Sequence, residues 1–302
     1  MKYLSRFKFL PFYAISLLPM WALYAISDIM YFLVYHVVGY RKKVVFNNLR
    51  NSFPSKSDDE IKQIAKDFYR HFCDIVLESF KRLTIGEKAI KKRLLIKNPE
   101  LIQQYVNDDR SILMYTGHQG NWEWLVFLPL MFPYSSNTFY KPIKNKYFEE
   151  LFKNMRERFG VNCVESDKGF RTIIENHQRK VLTLNCMIGD QSPTKKSSKY
   201  WYNFLNQETA FFVGADKIAK KTDQVVLFPF FKKLKRGYYE LEFRIIEDHP
   251  QIRNNFEILE KYAQQLEQAI VSAPELWLWS HRRWKLKRED YPVVDKLEYV
   301  TK

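Results

Sequence analysis

"RSILMYTGHQGNWEWLVFLPLM", residues 110–131, carries two structural signals in one line. Its front half, "RSILMYTG", is a short apolar run ending at Gly117, the pattern of a buried strand. Its rear half, "NWEWLVFLPLM", suits a helix, with Asn121 as N-cap and Glu123 in the first turn. Between the two runs, His118 and Glu123 stand five positions apart. On one continuous helix they would point about 140° apart and could not cooperate. A strand-to-helix turn removes that obstacle, because Gly117 and Gly120 let the chain fold the two side chains back toward each other. In open α/β sheets, the crevice beyond the carboxyl ends of the strands is where ligands and catalytic groups gather.

The chemistry expected there is a base and its orienter. Glu123 accepting from one imidazole nitrogen would fix the tautomer of His118, leaving the other nitrogen to take a proton from a hydroxyl. No GxSxG elbow occurs, and no cysteine lies beside His118. Direct attack by a bound alcohol therefore fits better than a covalent acyl-enzyme. On these residues alone, an ordinary glycine turn with a His near a Glu reads equally well. Metal binding is not expected, since HEXXH is absent and no third ligand accompanies His118 and Glu123.

Outward from this stretch, strands alternate with helices. "SKSDDE" opens a helix with a capping box, Ser57 and Glu60, followed by an apolar face of Ile61, Ile64, Phe68, Phe72, Ile75 and Phe80. "NKYFEELFKNMRERFG" carries a helical stripe of Phe148, Leu151, Phe152, Met155 and Phe159, with Gly160 as its stop. "KVLTLNCMIGDQ" is a second buried strand running into a polar turn, and "QVVLFPFF" and "GYYELEFRII" follow as strands. In the last, Tyr239, Leu241, Phe243 and Ile245 alternate with polar residues, predicting one wet face. "NFEILEKYAQQLEQAIVSAP" is a helix stopped before Pro274. The pattern predicts an α/β fold.

The chain of 302 residues is basic, with 49 Lys plus Arg against 34 Asp plus Glu, and 17% of it is aromatic. That balance calls for an acidic partner: nucleic acid, an anionic membrane or an acidic protein. Three scattered cysteines, Cys73, Cys163 and Cys186, give no disulfide framework and read as free thiols. Residues 9–38 contain one formal charge, Asp28, and could reach roughly 45 Å as a helix. Lys2, Arg6 and Lys8 flank one end, and Arg41, Lys42 and Lys43 the other. The stretch predicts a membrane anchor, spanning or half-embedded, against a buried helical hairpin as the alternative.

"TGHQGNWEW" resembles the Hxxxx(D/E) block of the bacterial lipid A late acyltransferases, the lauroyl/myristoyl transferases of the lysophospholipid acyltransferase superfamily. "GYRKKVVFNNLRNSFP", "FYKPIKNKYFEELFKNMRERFG", "GDQSPTKKSSKYWYNFLNQETAFFVGADKIAKKT" and "APELWLWSHRRWKLK" resemble further blocks of that family, in order. Two departures stand out: Lys141 where arginine commonly precedes proline, and Phe204-Leu205-Asn206 where Phe-Phe-Gly is usual.

The resemblance implies a central mixed sheet flanked by helices, glycerolphosphate acyltransferase-like, with a membrane anchor over residues 1–40. Residues 41–302 would form the acyltransferase domain, with 41–100 a helical lead-in and 101–302 the α/β catalytic core. It implies His118 as base and Glu123 as its partner, with Arg156 near the site as oxyanion or phosphate ligand. Arg156 also reads as an ordinary surface helix arginine, although it lies at the edge of the apolar stripe. Asp190 and Gln191, ending a buried strand, read as site-shaping or acceptor-binding residues. Asn121 and Lys141 complete the candidate substrate-supporting set, and His281 stays outside it as a structural histidine.

Acyl carrier protein as donor, a membrane glycolipid as acceptor, no cofactor and no nucleic acid are the implied partners. The implied location is the inner (cytoplasmic) membrane, with the catalytic domain facing the cytoplasm. The basic runs "KPIKNK", "SPTKKSSK" and "KKLKRG" are candidates for docking the carrier or phosphate-bearing lipid. Two other readings compete: an acyltransferase for a lysophospholipid, aminolipid or other glycolipid, and a basic membrane-bound or nucleic-acid-binding protein without catalysis.

Overall fold

The apolar run at the centre of the sequence is a strand in which all five residues, Ile112–Thr116, are buried. The computed structural model describes residues 8–195, 198 and 200–291, so Lys2, Arg6, Lys196 and Lys199 of the basic segments lie outside the described residues.

Two apolar helices come first, α1 (Leu10–Leu17) and α2 (Met20–Tyr31), the second continuing as a π-helical stretch, Phe32–Val38. Then follow α3 (Lys42–Ser52) and α4 (Asp58–Lys81), whose start carries the expected capping box of Ser57 and Glu60. Next come α5 (Glu87–Arg93), β1 (Leu94–Ile96), α6 (Pro99–Asn107) and β2 (Ile112–Thr116). A 3-10 helix, Trp122–Leu130, leads to β3 (Ser135–Tyr140), α7 (Lys146–Glu157) and β4 (Val161–Glu165). The chain goes on through α8 (Ser166–Gln178), β5 (Thr183–Ile188), β6 (Tyr200–Phe204) and β7 (Gln207–Phe211). It ends with α9 (Gly214–Thr222), β8 (Val225–Lys235), β9 (Tyr238–Glu247) and α10 (Glu257–Ser272).

Seven strands make one mixed sheet in the order β1-β9-β8-β2-β5-β3-β4, parallel except for the β8–β9 hairpin. Helices cover both faces, as in α/β folds generally. Alternation along β2 divides the core: Leu113 and Tyr115 pack toward α10, while Ile112 and Met114 pack toward the 3-10 helix. The alternation expected in β9 holds through Phe243 and then shifts. Ile245 is exposed, and Ile246 is buried in the core on the opposite face of the sheet, with α10; a bulge opposite Val226/Leu227 follows directly.

The unusual Leu205-Asn206 pair forms the tip of the β6–β7 hairpin, both residues with positive φ. Asparagine tolerates that backbone better than most residues. Asn206 Nδ2 also donates to the Ser52 carbonyl at 2.9 Å, and the Leu205 N–H to Glu267 at 3.1 Å. The departure is thereby tied to α3 and α10.

Candidate active site

Two neighbouring parallel strands end in the same way. Thr116 of β2 stands opposite Ile188 of β5, so "TGH" and "IGD" leave the sheet in step. His118 and Asp190 consequently meet at the carboxyl edge of the sheet. Asp190 Oδ1 lies 2.7 Å from His118 Nδ1, and its Oδ2 accepts from the His118 N–H at 2.7 Å and from Trp277 Nε1 at 2.8 Å. Burial alone would raise the Asp190 carboxyl, but His118 and these donors pull it down to about 2. Burial alone would lower the His118 pKa, yet Asp190 outweighs it and leaves the imidazole above its ordinary value. Nδ1 therefore carries the proton donated to Asp190, and Nε2 is the basic nitrogen. Gln191 Nε2 approaches His118 Nε2 at 3.3 Å.

The expected direct pair between Glu123 and His118 is not formed: the imidazole bonds to Asp190. The Glu123 carboxylate lies between two guanidinium groups, Arg82 Nη1 at 2.7 Å and Arg156 Nη2 at 3.0 Å. Burial would raise the Glu123 pKa, but the two arginines hold it at about 2. The competition is decided by charge: a neutral imidazole offers a carboxylate less than two permanent cations do. Arg82 is buried at the end of α4, and the expected site arginine, Arg156, reaches in from α7.

The turn between these two pairs is tightly determined. Gly120 has φ +62°, and a Cβ there would sit 2.2 Å from Phe231 Cβ. A Cβ on Gly117 would come within 3.1 Å of Asp190 Oδ2, so the close approach of His118 to Asp190 needs glycine. Gln119 pairs with Trp277 in an isolated β-bridge, and the Leu278 N–H donates to the His118 carbonyl at 3.1 Å. Asn121 does not cap a helix. It is buried, and its Nδ2 donates to Glu78 Oε2 at 2.5 Å. With that side chain turned away, the following segment is a 3-10 helix whose first bond runs from Trp124 N–H to the Asn121 carbonyl.

Two cavities flank the strand ends, one on each face of the sheet. A small one of about 40 Å³ is lined by Thr116, Trp122, Glu123, Arg156 and Cys186. A larger one, about 360 Å³, is walled by Phe139, Phe170, Ile173, Met187, Phe212 and Ile218, with Lys141 and Gln191 on its lining. Lys141 thus lines the same cavity as Gln191, the histidine's neighbour. His281 accepts from the Ser192 N–H at 3.2 Å, supporting the Asp190–Gln191 turn, and burial holds its pKa down at about 4. Among the described residues, no group of three or more His, Cys, Asp or Glu gathers as a metal site. Of the basic runs, "KKLKRG" faces inward in part: Arg236 pairs with Asp74 and Asp28, and Lys233 lies 3.8 Å from Asp74.

Sequence reasoning missed Arg82, Trp277 and the bond between His118 and Asp190. Arg82 and Trp277 carry no local signal. The Asp190 contact had one, since both buried strands end in Gly followed by an ionisable residue, and parallel pairing in register brings those residues side by side.

No curated protein matches the chain. The family model described as bacterial lipid A biosynthesis acyltransferase matches residues 7–286, from the apolar N-terminus through both strand ends to the segment that carries Trp277 and His281. By that match the chain belongs to the bacterial lipid A biosynthesis acyltransferases and is an acyltransferase.

Proposed function

We propose that the enzyme moves a fatty acyl chain from acyl carrier protein to a hydroxyl of a lipid A precursor, with His118 as general base and Asp190 as its orienter. The observation that carries this reading is the 2.7 Å contact between His118 Nδ1 and buried Asp190, which leaves Nε2 as the proton acceptor. The acceptor hydroxyl gives its proton to Nε2 as its oxygen bonds to the thioester carbonyl carbon. The tetrahedral intermediate then expels the thiolate, which takes the proton back from the imidazolium. Ester and free thiol result, with no acyl-enzyme. Arg156, fixed by Glu123, supplies positive charge beside the turn where the oxyanion forms. Glu123 acts in this reading through the arginines. The apolar cavity of about 360 Å³ next to Gln191 is the place for an acyl chain.

The N-terminal segment lies in the membrane in this reading and does not cross it. Residues 20–38 are long and apolar enough to span. They run antiparallel along α4, however, pairing Tyr24 with Glu78, Ser27 with Asp74, Tyr31 with Arg70 and Tyr35 with Tyr69. A crossing would carry α4, with exposed Lys62 and Arg70, into hydrocarbon. The outward face, with Leu17, Trp21, Ile29, Phe32, Leu33 and Val37 exposed, suits insertion into one leaflet of the inner membrane from the cytoplasmic side. Lys141, on the lining of the larger cavity, and the exposed lysines that follow it in "KPIKNK" suit the acidic carrier. Mass spectrometry of lipid A from cells with and without the protein tests reaction, acceptor and chain length together. The expected result is one acyl chain fewer in its absence, and unchanged lipid A rejects this acceptor.

A further inference from the structure

The catalytic turn has a second support, and it comes from the apolar N-terminus. Three side chains one or two helical turns apart on α4 (His71, Asp74 and Glu78) face the interior, and all three are buried. Glu78 is the hub. Its Oε2 accepts from Asn121 Nδ2 of the catalytic turn at 2.5 Å and from the Tyr239 hydroxyl at 3.0 Å. Its Oε1 accepts from the Tyr24 hydroxyl of α2 at 2.9 Å.

One carboxylate thus joins α2, the β9 strand and the turn that separates His118 from Glu123. His71 adds a parallel strut, with Nε2 3.1 Å from the Gly120 carbonyl. Burial pushes its pKa down to about 3, so it is neutral and donates that hydrogen bond.

The docking of α2 onto this hub is specific. Ser27 donates to Asp74 at 2.7 Å, and Arg236, at the tip of the β8–β9 hairpin, bridges Asp74 and Asp28. The Arg236 guanidinium also stacks over the Tyr24 ring, 4.5 Å from its centroid. A Cβ on Gly237 would lie only 1.8 Å from the Tyr24 hydroxyl, so the hairpin tip closes directly onto this tyrosine. A helix that served only as a tether would need none of these contacts, because apolar area alone partitions it into lipid. The polar contacts instead face inward, toward the turn.

We propose that Glu78 is a positioning residue that makes the N-terminal helix a working part of the active site. The docked Tyr24 holds Glu78, Glu78 holds Asn121, and Asn121 sets the turn that places His118 against Asp190 and Glu123 against its arginines. Activity then depends on the seating of α2 even when the enzyme is in detergent and membrane binding is irrelevant. The inference uses the acyl-transfer reading only as an assay.

The test uses the full chain in detergent micelles with a micelle-soluble acyl acceptor and an acyl thioester. Glu78→Met keeps the volume and removes the hydrogen bonds, whereas Glu78→Gln can keep all three, with Tyr24 accepting from the new amide. The expected result is a kcat loss of about tenfold or more for Glu78→Met at nearly unchanged KM, with Glu78→Gln within about threefold of wild type. Tyr24→Phe, a half-buried position that leaves the fold intact, should lower kcat several-fold, and should add nothing in a Glu78→Met background. Hydrogen exchange supplies a readout independent of the reaction: amides of residues 118–122 should exchange faster in Tyr24→Phe than in wild type. Unchanged exchange and kcat in Tyr24→Phe would overturn the proposal, even if Glu78→Met does not fold. So would a fully active Glu78→Met, or additive losses in the double variant.

Discussion

The two ends of the catalytic turn hold buried or nearly buried carboxylates that reach the same ionisation by different routes. Asp190 is held at about 2 by one histidine and two neutral N–H donors. Glu123 is held at about 2 by two arginines. Glu78, bonded to the turn through Asn121, is also buried but has Tyr24, Tyr239 and Asn121 as partners, and burial together with nearby Asp74 pushes it up to about 7. Burial acts in one direction on all three, and the partner decides the outcome. The consequence is a division of labour: the Asp190 end can change charge during a reaction because its partner titrates, while the Glu123 end stays a fixed ionic clamp.

The largest effect that sharpens this contrast is expected at the proposed base. His118→Ala should lower kcat/KM by about 10²–10⁴-fold in a folded protein, measured by acyl transfer to the lipid acceptor. Next comes Asp190→Asn, which keeps the shape but removes the charge. It should lower kcat by about 10²-fold or more, because the imidazole loses the partner that fixes its tautomer.

The third effect belongs to stability. Glu123→Ala leaves buried Arg82 without its ion partner and should cost about 3–5 kcal/mol, read by denaturant unfolding. Adding Arg82→Met to that variant should recover much of the stability and leave activity low. If Asp190→Asn proved the more destabilising change and Glu123→Ala the less, the division of labour would be broken.

The effect farthest from the chemistry, and the smallest on activity, lies on the outer face of the N-terminal helix. Trp21→Glu with Val37→Glu, both exposed positions, should weaken partitioning into anionic vesicles by about 10²-fold or more, at about 1.5–3 kcal/mol per lost apolar side chain. Activity toward a micelle-soluble acceptor should remain.

Much of this molecule was legible in its sequence because periodicity is local. The strands within 110–117 and 180–191, the capping box at Ser57 and the helix around Arg156 all followed from local pattern, although the second strand is buried only through Asn185. The 3-10 helix after Asn121 did not, because the side chain expected to cap it answers to Glu78, 43 positions away in the chain. The same holds for the histidine's partner. Glu123 was the nearby carboxylate in sequence, whereas Asp190 is 72 positions away and arrives through the pairing of β2 with β5. A buried arginine such as Arg82, at the end of an amphipathic helix, looks like any exposed one until the fold closes over it.

The pH dependence follows with its sign. As the proposed base, His118 must be neutral to accept a proton, so kcat/KM should rise with pH through an inflection above the ordinary 6.5, because Asp190 raises the imidazole pKa. An NMR titration of His118 in the wild type, in Asp190→Asn and in Glu123→Gln separates the two carboxylates. Asp190→Asn should drop the His118 pKa below 6.5, since burial then acts unopposed by its main partner, while Glu123→Gln should shift it far less. A larger shift in Glu123→Gln than in Asp190→Asn would make Glu123, and not Asp190, the orienter.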